Sequence, residues 1–134
     1  MEHKIFVSLI ISDFQHPPVE LTRMLGAQPT KAWFAGDSIE KTLLNRKSNG
    51  WELSSGVSEY EHFEKHVNAI IDIIRSKKSK FLETLSTHKG AIWVSIYLSQ
   101  SSSKNLPTVY LNKEALNMFS ELNIEFNVET YIIP

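Results

Sequence analysis

Residues 91–99, AIWVSIYLS, carry the clearest strand pattern in the chain. β-Branched and aromatic residues dominate this segment, and its large apolar side chains fall on both alternating faces, which is typical of a central strand. Residues 4–12, KIFVSLIIS, have a similar composition: the odd-numbered aliphatic residues share one face, and Phe6 and Ile10 lie on the other. The pattern predicts two strands that are buried on both faces.

Four shorter or more polar segments also alternate with a period of two. Three of them are predicted to be short strands, one of these at a sheet edge, and the last is predicted to be a half-exposed strand. In chain order they are residues 30–34, 51–55, 107–111 (the edge strand) and 124–133. Residues 38–50 have no clear period and are predicted to form a long loop, as are the serines at 101–103.

Helical spacing predicts four helices. Residues 18–25 start with a proline and end before Gly26, which are favoured positions for these two residues. The strongest helix begins at Ser58-Glu59-Tyr60-Glu61, a capping box, and continues as an apolar stripe from Tyr60 to Ile74. A shorter helix covers residues 80–85. The last covers residues 112–122, with Asn112 as its cap and Leu111 and Leu116 as a hydrophobic staple.

This order of elements predicts an α+β fold, in which helices pack on a mixed or antiparallel sheet. The whole chain, residues 1–134, is expected to form a single domain, because 134 residues suffice for one ordinary core. Two strand–helix–strand units of ferredoxin-like character are expected. The first contains residues 4–12, 18–25 and 30–34, and the second contains residues 91–99, 112–122 and 124–133.

Composition excludes several classes of protein. Fourteen Lys and Arg residues against fifteen Asp and Glu residues give a net charge of −1, which disfavours a nucleic-acid binder. Cysteine is absent, so disulfides and thiolate chemistry are excluded. The apolar run at residues 5–11 is too short for a membrane span and is not followed by a cleavage site of small residues. We therefore expect a cytoplasmic protein that does not associate with membranes.

No pattern of residues predicts catalysis. His62 and His66 have the i, i+4 spacing of a metal-binding pair, but residue 63 is Phe where the zinc proteases have Glu, so two surface histidines are expected. There is no nucleophile elbow around a serine and no phosphate-binding or dinucleotide-binding glycine loop. The sequence therefore predicts no metal, no cofactor and no catalytic residue.

One group of residues is typical of a binding surface. Tryptophans and glycines are concentrated in loop-flanked sequence between residues 33 and 56, as in many binding loops on rigid scaffolds. The candidate binding residues are Trp33, Gly36, Asp37, Arg46, Trp51 and Ser54. The structural alternative is that both tryptophans pack against the sheet while Asp37 and Arg46 pair to fix the loop. For Trp51 we predict burial against the 70–74 end of the capped helix.

The chain resembles a bacterial family catalogued as domain of unknown function 4279 (DUF4279). The resemblance rests on LGAQPT at residues 25–30, Trp33 followed by Gly36-Asp37, GWELSSG at residues 50–56, and a closing strand with Tyr131. It covers nearly the whole chain and implies a small bacterial protein with no assigned activity or cofactor.

Two functions follow as hypotheses. The first is a non-catalytic protein-binding module, one form of which is an immunity protein that neutralises a partner toxin by covering its active site. The alternative is a small-molecule or hydrolytic site between the Trp33 and Trp51 segments, using Asp37, Arg46 and Ser54. A weak homodimer is also expected, because the last strand offers an edge for pairing.

Overall fold

The computed structural model describes residues 2–101 and 105–134. It contains five strands and four helices, with bounds close to those predicted. They are β1 (Lys4–Phe14), α1 (Val19–Leu25), β2 (Lys31–Trp33), β3 (Asn49–Ser54), α2 (Phe63–Ser76), α3 (Lys78–Leu85), β4 (Lys89–Ser99), α4 (Lys113–Glu121) and β5 (Ile124–Ile133). Ser102 and Ser103, in the predicted serine loop, lie outside the described residues.

The five strands form one mixed sheet in the order β2-β3-β1-β4-β5, which confirms the α+β class. β4 and β5 are parallel, and the other neighbouring pairs are antiparallel. From β1 to β4 the chain follows the β-α-β-β-α-β order of a ferredoxin-like fold, if α2 and α3 are counted as one helical segment. The sheet order also matches that fold, since β3 lies between β1 and β2 and β4 lies on the other side of β1. The second ferredoxin-like unit is therefore β3-α2-β4. The predicted second unit, β4-α4-β5, is instead an additional parallel unit at the sheet edge.

The helices pack on one face of the sheet only. The core contains the odd-numbered residues of β1, the residues that pair with them, and the apolar sides of all four helices. On the other face, Phe6 is 44% exposed and Ile10 is half-buried. The prediction that residues 4–12 and 91–99 are buried on both faces was therefore wrong. No described helix covers that second face. Aromatic residues on it are partly exposed and lie beside polar side chains.

The capping box at residues 58–61 does not start α2. The helix begins at Phe63, and its N-cap residue, His62, makes no side-chain capping bond. The carbonyl of Glu59 accepts a hydrogen bond from the Ile5 amide of β1 at 2.8 Å, which ties the segment to the start of this central strand before the helix can begin. Tyr60 is consequently 55% exposed and is not part of the buried stripe. The remaining stripe residues from Phe63 to Ile74 are buried as predicted.

Residues 107–111 are not a strand in the described part of the chain. The Asn112 cap is confirmed, since its side-chain oxygen accepts a hydrogen bond from the Ala115 amide at 2.8 Å. The predicted staple does not form, because Leu116 is 52% exposed while Leu111 packs against the core. The buried side of α4 consists of Ala115, Met118 and Phe119. Among the described residues no helix is long and apolar enough to cross a membrane.

Candidate functional site

The sheet face opposite the helices, here called the open face, is not covered by any described helix. In an antiparallel sheet, paired residues point to the same side. Ser8 pairs with Ser54 and with Trp93, and Ile10 pairs with Glu52 and with Ala91, so the register assigns all of these residues to the open face. The face extends from β2 to β5 and combines large aromatic side chains with serines and carboxylates.

Four aromatic residues lie near one another on the open face. The rings of Phe6 and Tyr97 meet edge-to-face with centroids 5.8 Å apart. Tyr97 stacks on Tyr131 of β5 with centroids 5.0 Å apart and an interplanar angle of 19°. Trp93, half-buried, is four residues before Tyr97 on the same side of β4. We call these four residues the aromatic row: they present apolar area that the protein itself does not bury.

The β5 side of the open face is acidic. Glu125 and Glu129 are both exposed, and neither has a salt-bridge partner within residues 2–101 and 105–134. The Tyr131 hydroxyl donates a hydrogen bond to the Glu129 carboxylate. That hydrogen bond raises the pKa of Tyr131 above its ordinary value, because ionising the phenol would place two negative charges together.

A polar cluster lies at the centre of the open face. Ser8 Oγ donates to Glu52 Oε2 at 3.1 Å and lies 3.2 Å from Ser54 Oγ. The Ser54 amide donates to Thr30 Oγ1 at 2.9 Å. Ser54, one of the predicted binding residues, is therefore on this face. It contacts the hydroxyls of Ser8 and Thr30, and no histidine is among its hydrogen-bond partners in the described residues. The arrangement suits hydrogen bonding to a partner better than nucleophilic attack.

Trp33 closes the β2 end of the open face. It pairs with Gly50, and its indole occupies the space where a side chain at residue 50 would lie, since an ideal Cβ there would be 2.1 Å from Cε2 of Trp33. The Arg46 guanidinium lies 3.9 Å from the centre of the indole ring, a cation–π contact. Trp33 and Arg46 are thus brought together, and both remain partly accessible.

Backbone hydrogen bonds hold the loop that carries Asp37 and Arg46. The Gly36 amide donates to the Arg46 carbonyl at 2.8 Å, and the Arg46 amide donates to the Asp37 carbonyl at 2.7 Å. The Asp37 carboxylate accepts from the Phe34 amide at 2.8 Å, as in a turn. Asp37 and Arg46 therefore do fix the loop, but they pair through their backbones, and no side-chain ion pair joins them in the described structure.

Trp51 lies on the opposite side of the sheet from Trp33. Its side chain is fully buried in the core, and its Nε1 donates to Thr22 Oγ1 of α1 at 3.1 Å. Its burial is confirmed, and the hydrogen bond makes α1 a neighbour, while the predicted packing against residues 70–74 stays a prediction. Because adjacent residues along a strand point to opposite faces, the Trp33 and Trp51 segments enclose no common pocket between the two indoles. A binding role for Trp51 would need the core to open.

His66 is the buried titratable residue that sequence reasoning missed. It was expected on the surface of α2, but it is 1% exposed and its Nδ1 lies 2.6 Å from Ser55 Oγ. Burial lowers its pKa below the ordinary value, while the nearby carbonyls of Ser58 and Glu61 act in the opposite sense. Its Nε2 is buried and has no hydrogen-bond partner among the described residues. His62 is exposed, so the two histidines do not converge on a metal.

A protein-family model described as Domain of unknown function (DUF4279) matches residues 3–133 of the 134 in the chain. The chain belongs to the DUF4279 family. No curated protein and no solved structure is significantly similar to it. The match confirms the resemblance seen in the sequence, and its description assigns neither an activity nor a ligand to this DUF4279 protein.

The predicted binding residues of this DUF4279 chain therefore divide into three groups. Trp33, at the end of β2 on the open face, lies with Gly36, Asp37 and Arg46 of the loop that follows it. Ser54 lies elsewhere on the open face, and Trp51 lies in the core. The aromatic row was missed, because Phe6, Trp93 and Tyr97 were interpreted as core and Tyr131 only as part of a half-exposed strand. The signal that could have found it is the alternation of Trp93 and Tyr97 with Ser95 on one face of β4, since a serine between aromatic residues is typical of a partly solvated surface.

Proposed function

We propose that this DUF4279 chain is a non-catalytic protein-binding module that engages its partner through the open face. One observation carries the proposal: the sheet is covered by helices on one side only, and the uncovered side displays the aromatic row. Tyrosine and tryptophan are enriched at the centres of protein interfaces, where they supply apolar area together with a polar tip.

The charge of the open face indicates the chemistry of the partner. Glu125 and Glu129 flank the aromatic row without balancing cations in the described structure, whereas Lys4 is 3.8 Å from Glu59 and Lys89 is 3.6 Å from Asp13. A partner surface with an apolar centre and Lys or Arg residues at its rim would complement this arrangement. The net charge of −1 averages over the whole surface and does not describe this side of the sheet.

An immunity protein is the specific form of this proposal. Such a protein covers the active site of a toxin and needs shape and charge but no chemistry of its own. The acidic side of the aromatic row would suit a toxin whose active site is basic. A cytoplasmic location belongs to the same proposal, since a toxin is neutralised inside the cell that it enters. The small-molecule alternative has less support, because the two tryptophan segments do not form one pocket.

The test places a photocrosslinking amino acid at Tyr97 in the open face and, as a control, at Asn117 on the exposed side of α4. The two labelled variants are expressed in the host, and any protein that becomes crosslinked to them is identified and purified. We expect crosslinks from position 97 and none from position 117. The purified partner should then bind wild type, and Tyr97→Ala and Glu129→Lys should each weaken its affinity tenfold or more, while Asn117→Ala leaves it unchanged. Crosslinks from position 117 alone, or equal affinities for all variants, would contradict the proposal.

A further inference from the structure

Two histidines far apart in sequence meet outside the proposed binding surface. His16 follows β1 and His88 immediately precedes β4, and their Nε2 atoms are 2.7 Å apart. Phe14 stacks on the His16 ring with centroids 4.7 Å apart, which holds that ring in place. Both imidazoles are half-buried, so water can reach them.

The other ring nitrogens determine where the hydrogens are. Nδ1 of His16 lies 2.9 Å from the Pro17 carbonyl, and Nδ1 of His88 lies 2.9 Å from the Thr84 carbonyl. A carbonyl oxygen can only accept, so each Nδ1 carries the hydrogen. The Thr87 hydroxyl, 3.0 Å from Nδ1 of His88, does not alter this assignment. When both rings are neutral, each Nε2 therefore presents a lone pair to the other.

Two lone pairs at 2.7 Å repel each other unless a proton or a metal cation lies between them. We propose that His16 and His88 form a binding site for a divalent transition-metal ion of the class that imidazole prefers, such as Zn²⁺ or Ni²⁺. A neutral imidazole nitrogen is the usual histidine ligand for such ions. Metal-ligating histidines also donate their second ring N–H to a backbone carbonyl or a carboxylate, which fixes the ring orientation. Both rings already make that bond.

Binding an ion requires the two rings to turn as well as to separate, because their centroids are 5.0 Å apart with the Nε2 atoms 2.7 Å apart, so each Nε2 points at the other. With Zn–N distances of about 2.0–2.1 Å and a tetrahedral angle, two ligand nitrogens are about 3.3 Å apart. The rings would separate by about 0.6 Å, a movement that side-chain rotation can supply. No group of three or more His, Cys, Asp or Glu side chains able to hold a metal occurs among residues 2–101 and 105–134. The ion would complete its coordination with water or an external ligand, so this is an open site that exchanges its metal.

Metal binding would link two distant parts of the chain. The ligands are 72 positions apart, and they join the segment after β1 to the turn between α3 and β4. An ion that binds the folded state and not the unfolded chain raises the temperature of unfolding as its concentration increases. The site can therefore be detected without knowing the function of the protein.

The test is thermal unfolding and calorimetric titration of the purified chain with ZnCl₂ and NiCl₂, using MgCl₂ as the reference for a hard ion. We expect one ion per chain, a higher unfolding temperature with Zn²⁺ or Ni²⁺, and no change with Mg²⁺. His16→Gln and His88→Gln should each lose the shift. His62→Gln, which changes an exposed histidine outside the pair, should retain it.

Nitrogen-15 spectra of the imidazole rings test the same site in the unaltered protein. Without metal, both rings should show the Nδ1–H form, and Zn²⁺ should shift the Nε2 resonances of His16 and His88 only. The proposal is overturned if millimolar Zn²⁺ changes neither the unfolding temperature nor these resonances. It is also overturned if the binding survives His16→Gln, or if the pair proves to hold only a shared proton that Zn²⁺ does not displace.

Discussion

Trp33 and Gly50 form a matched pair across β2 and β3, because the indole of Trp33 fills the space above Gly50 where any other residue would place its side chain. This contact anchors a three-residue strand that has little other support, since Lys31 and Ala32 are exposed. The Arg46 guanidinium contacts the same indole, so the contact also determines where the loop between β2 and β3 lies.

Gly50→Ala should destabilise the protein by about 1–3 kcal/mol, the usual cost of inserting a methyl group into a filled space. The new Cβ would meet the ring atoms of Trp33 and displace the indole from β3. Urea unfolding of the single variants and of the double variant Gly50→Ala/Trp33→Ala measures this. In the Trp33→Ala background the added methyl group should cost much less, and an undiminished cost there would show that the Trp33 contact is not the cause.

Trp51→Ala should lower the free energy of unfolding by about 3–5 kcal/mol, because it removes a large, fully buried aromatic side chain. It also leaves Thr22 Oγ1 without the indole donor. Trp33→Ala is the matched control at a half-buried tryptophan and should cost distinctly less. Denaturant midpoints of the two variants decide the matter, and an unchanged midpoint for Trp51→Ala would return Trp51 to the candidate binding residues.

Ser55→Ala should cost about 1–3 kcal/mol, because it removes the hydrogen bond to His66 and leaves both ring nitrogens of a buried imidazole without their observed partners. Ser54→Ala is a close control, since the neighbouring hydroxyl lies on the open face and its contacts are partly solvated. Equal losses for the two variants in chemical unfolding would argue against a special role for the Ser55–His66 pair.

His66 should make stability depend on pH. Burial lowers its pKa in the folded state below the ordinary value of about 6.5, so the unfolded chain takes up the proton first as the pH falls. The contribution is complete above about pH 6.5 and is lost as the pH falls from there through the folded-state pKa. Urea midpoints between pH 5 and 8 should show this decline, and His66→Gln should flatten it, while His62→Gln should not. A decline that persists in His66→Gln must come from other groups.

The outer edge of β5 should support weak self-association. β5 is ten residues long, lies at the end of the strand order, and pairs on one side with β4. Its unpaired backbone groups favour pairing with a second chain. Light scattering should show a monomer–dimer equilibrium at high micromolar concentration, and Ile132→Lys, at a residue that is 67% exposed, should shift it toward monomer. A strict monomer at that concentration would remove this prediction.

Local patterns determined most of the secondary structure. Three local patterns predicted their elements correctly: the alternation in residues 4–12 and 91–99, the stripe from Phe63 to Ile74, and the Asn112 cap. Each pattern depends only on residues that are close together in the sequence. The family could also be identified from short motifs, since they reflect the order of turns and buried residues along the whole chain. These features can be predicted without knowing which helices and strands contact one another.

Tertiary structure alone decided the side on which each apolar residue lies. From the sequence, Phe6, Trp93 and Tyr97 are expected in the core. The sequence of a strand with two apolar faces does not reveal whether a helix covers both of them. His66 is buried although its neighbours in sequence gave it a surface position, because Ser55, from the segment after β3, supplies its hydrogen bond. His16 and His88 could not be associated at all from a separation of 72 positions. The sequence by itself determined most of the elements and the family. The packing of those elements decided which residues became surface, core or candidate site, because burial and long-range contacts depend on the whole sheet.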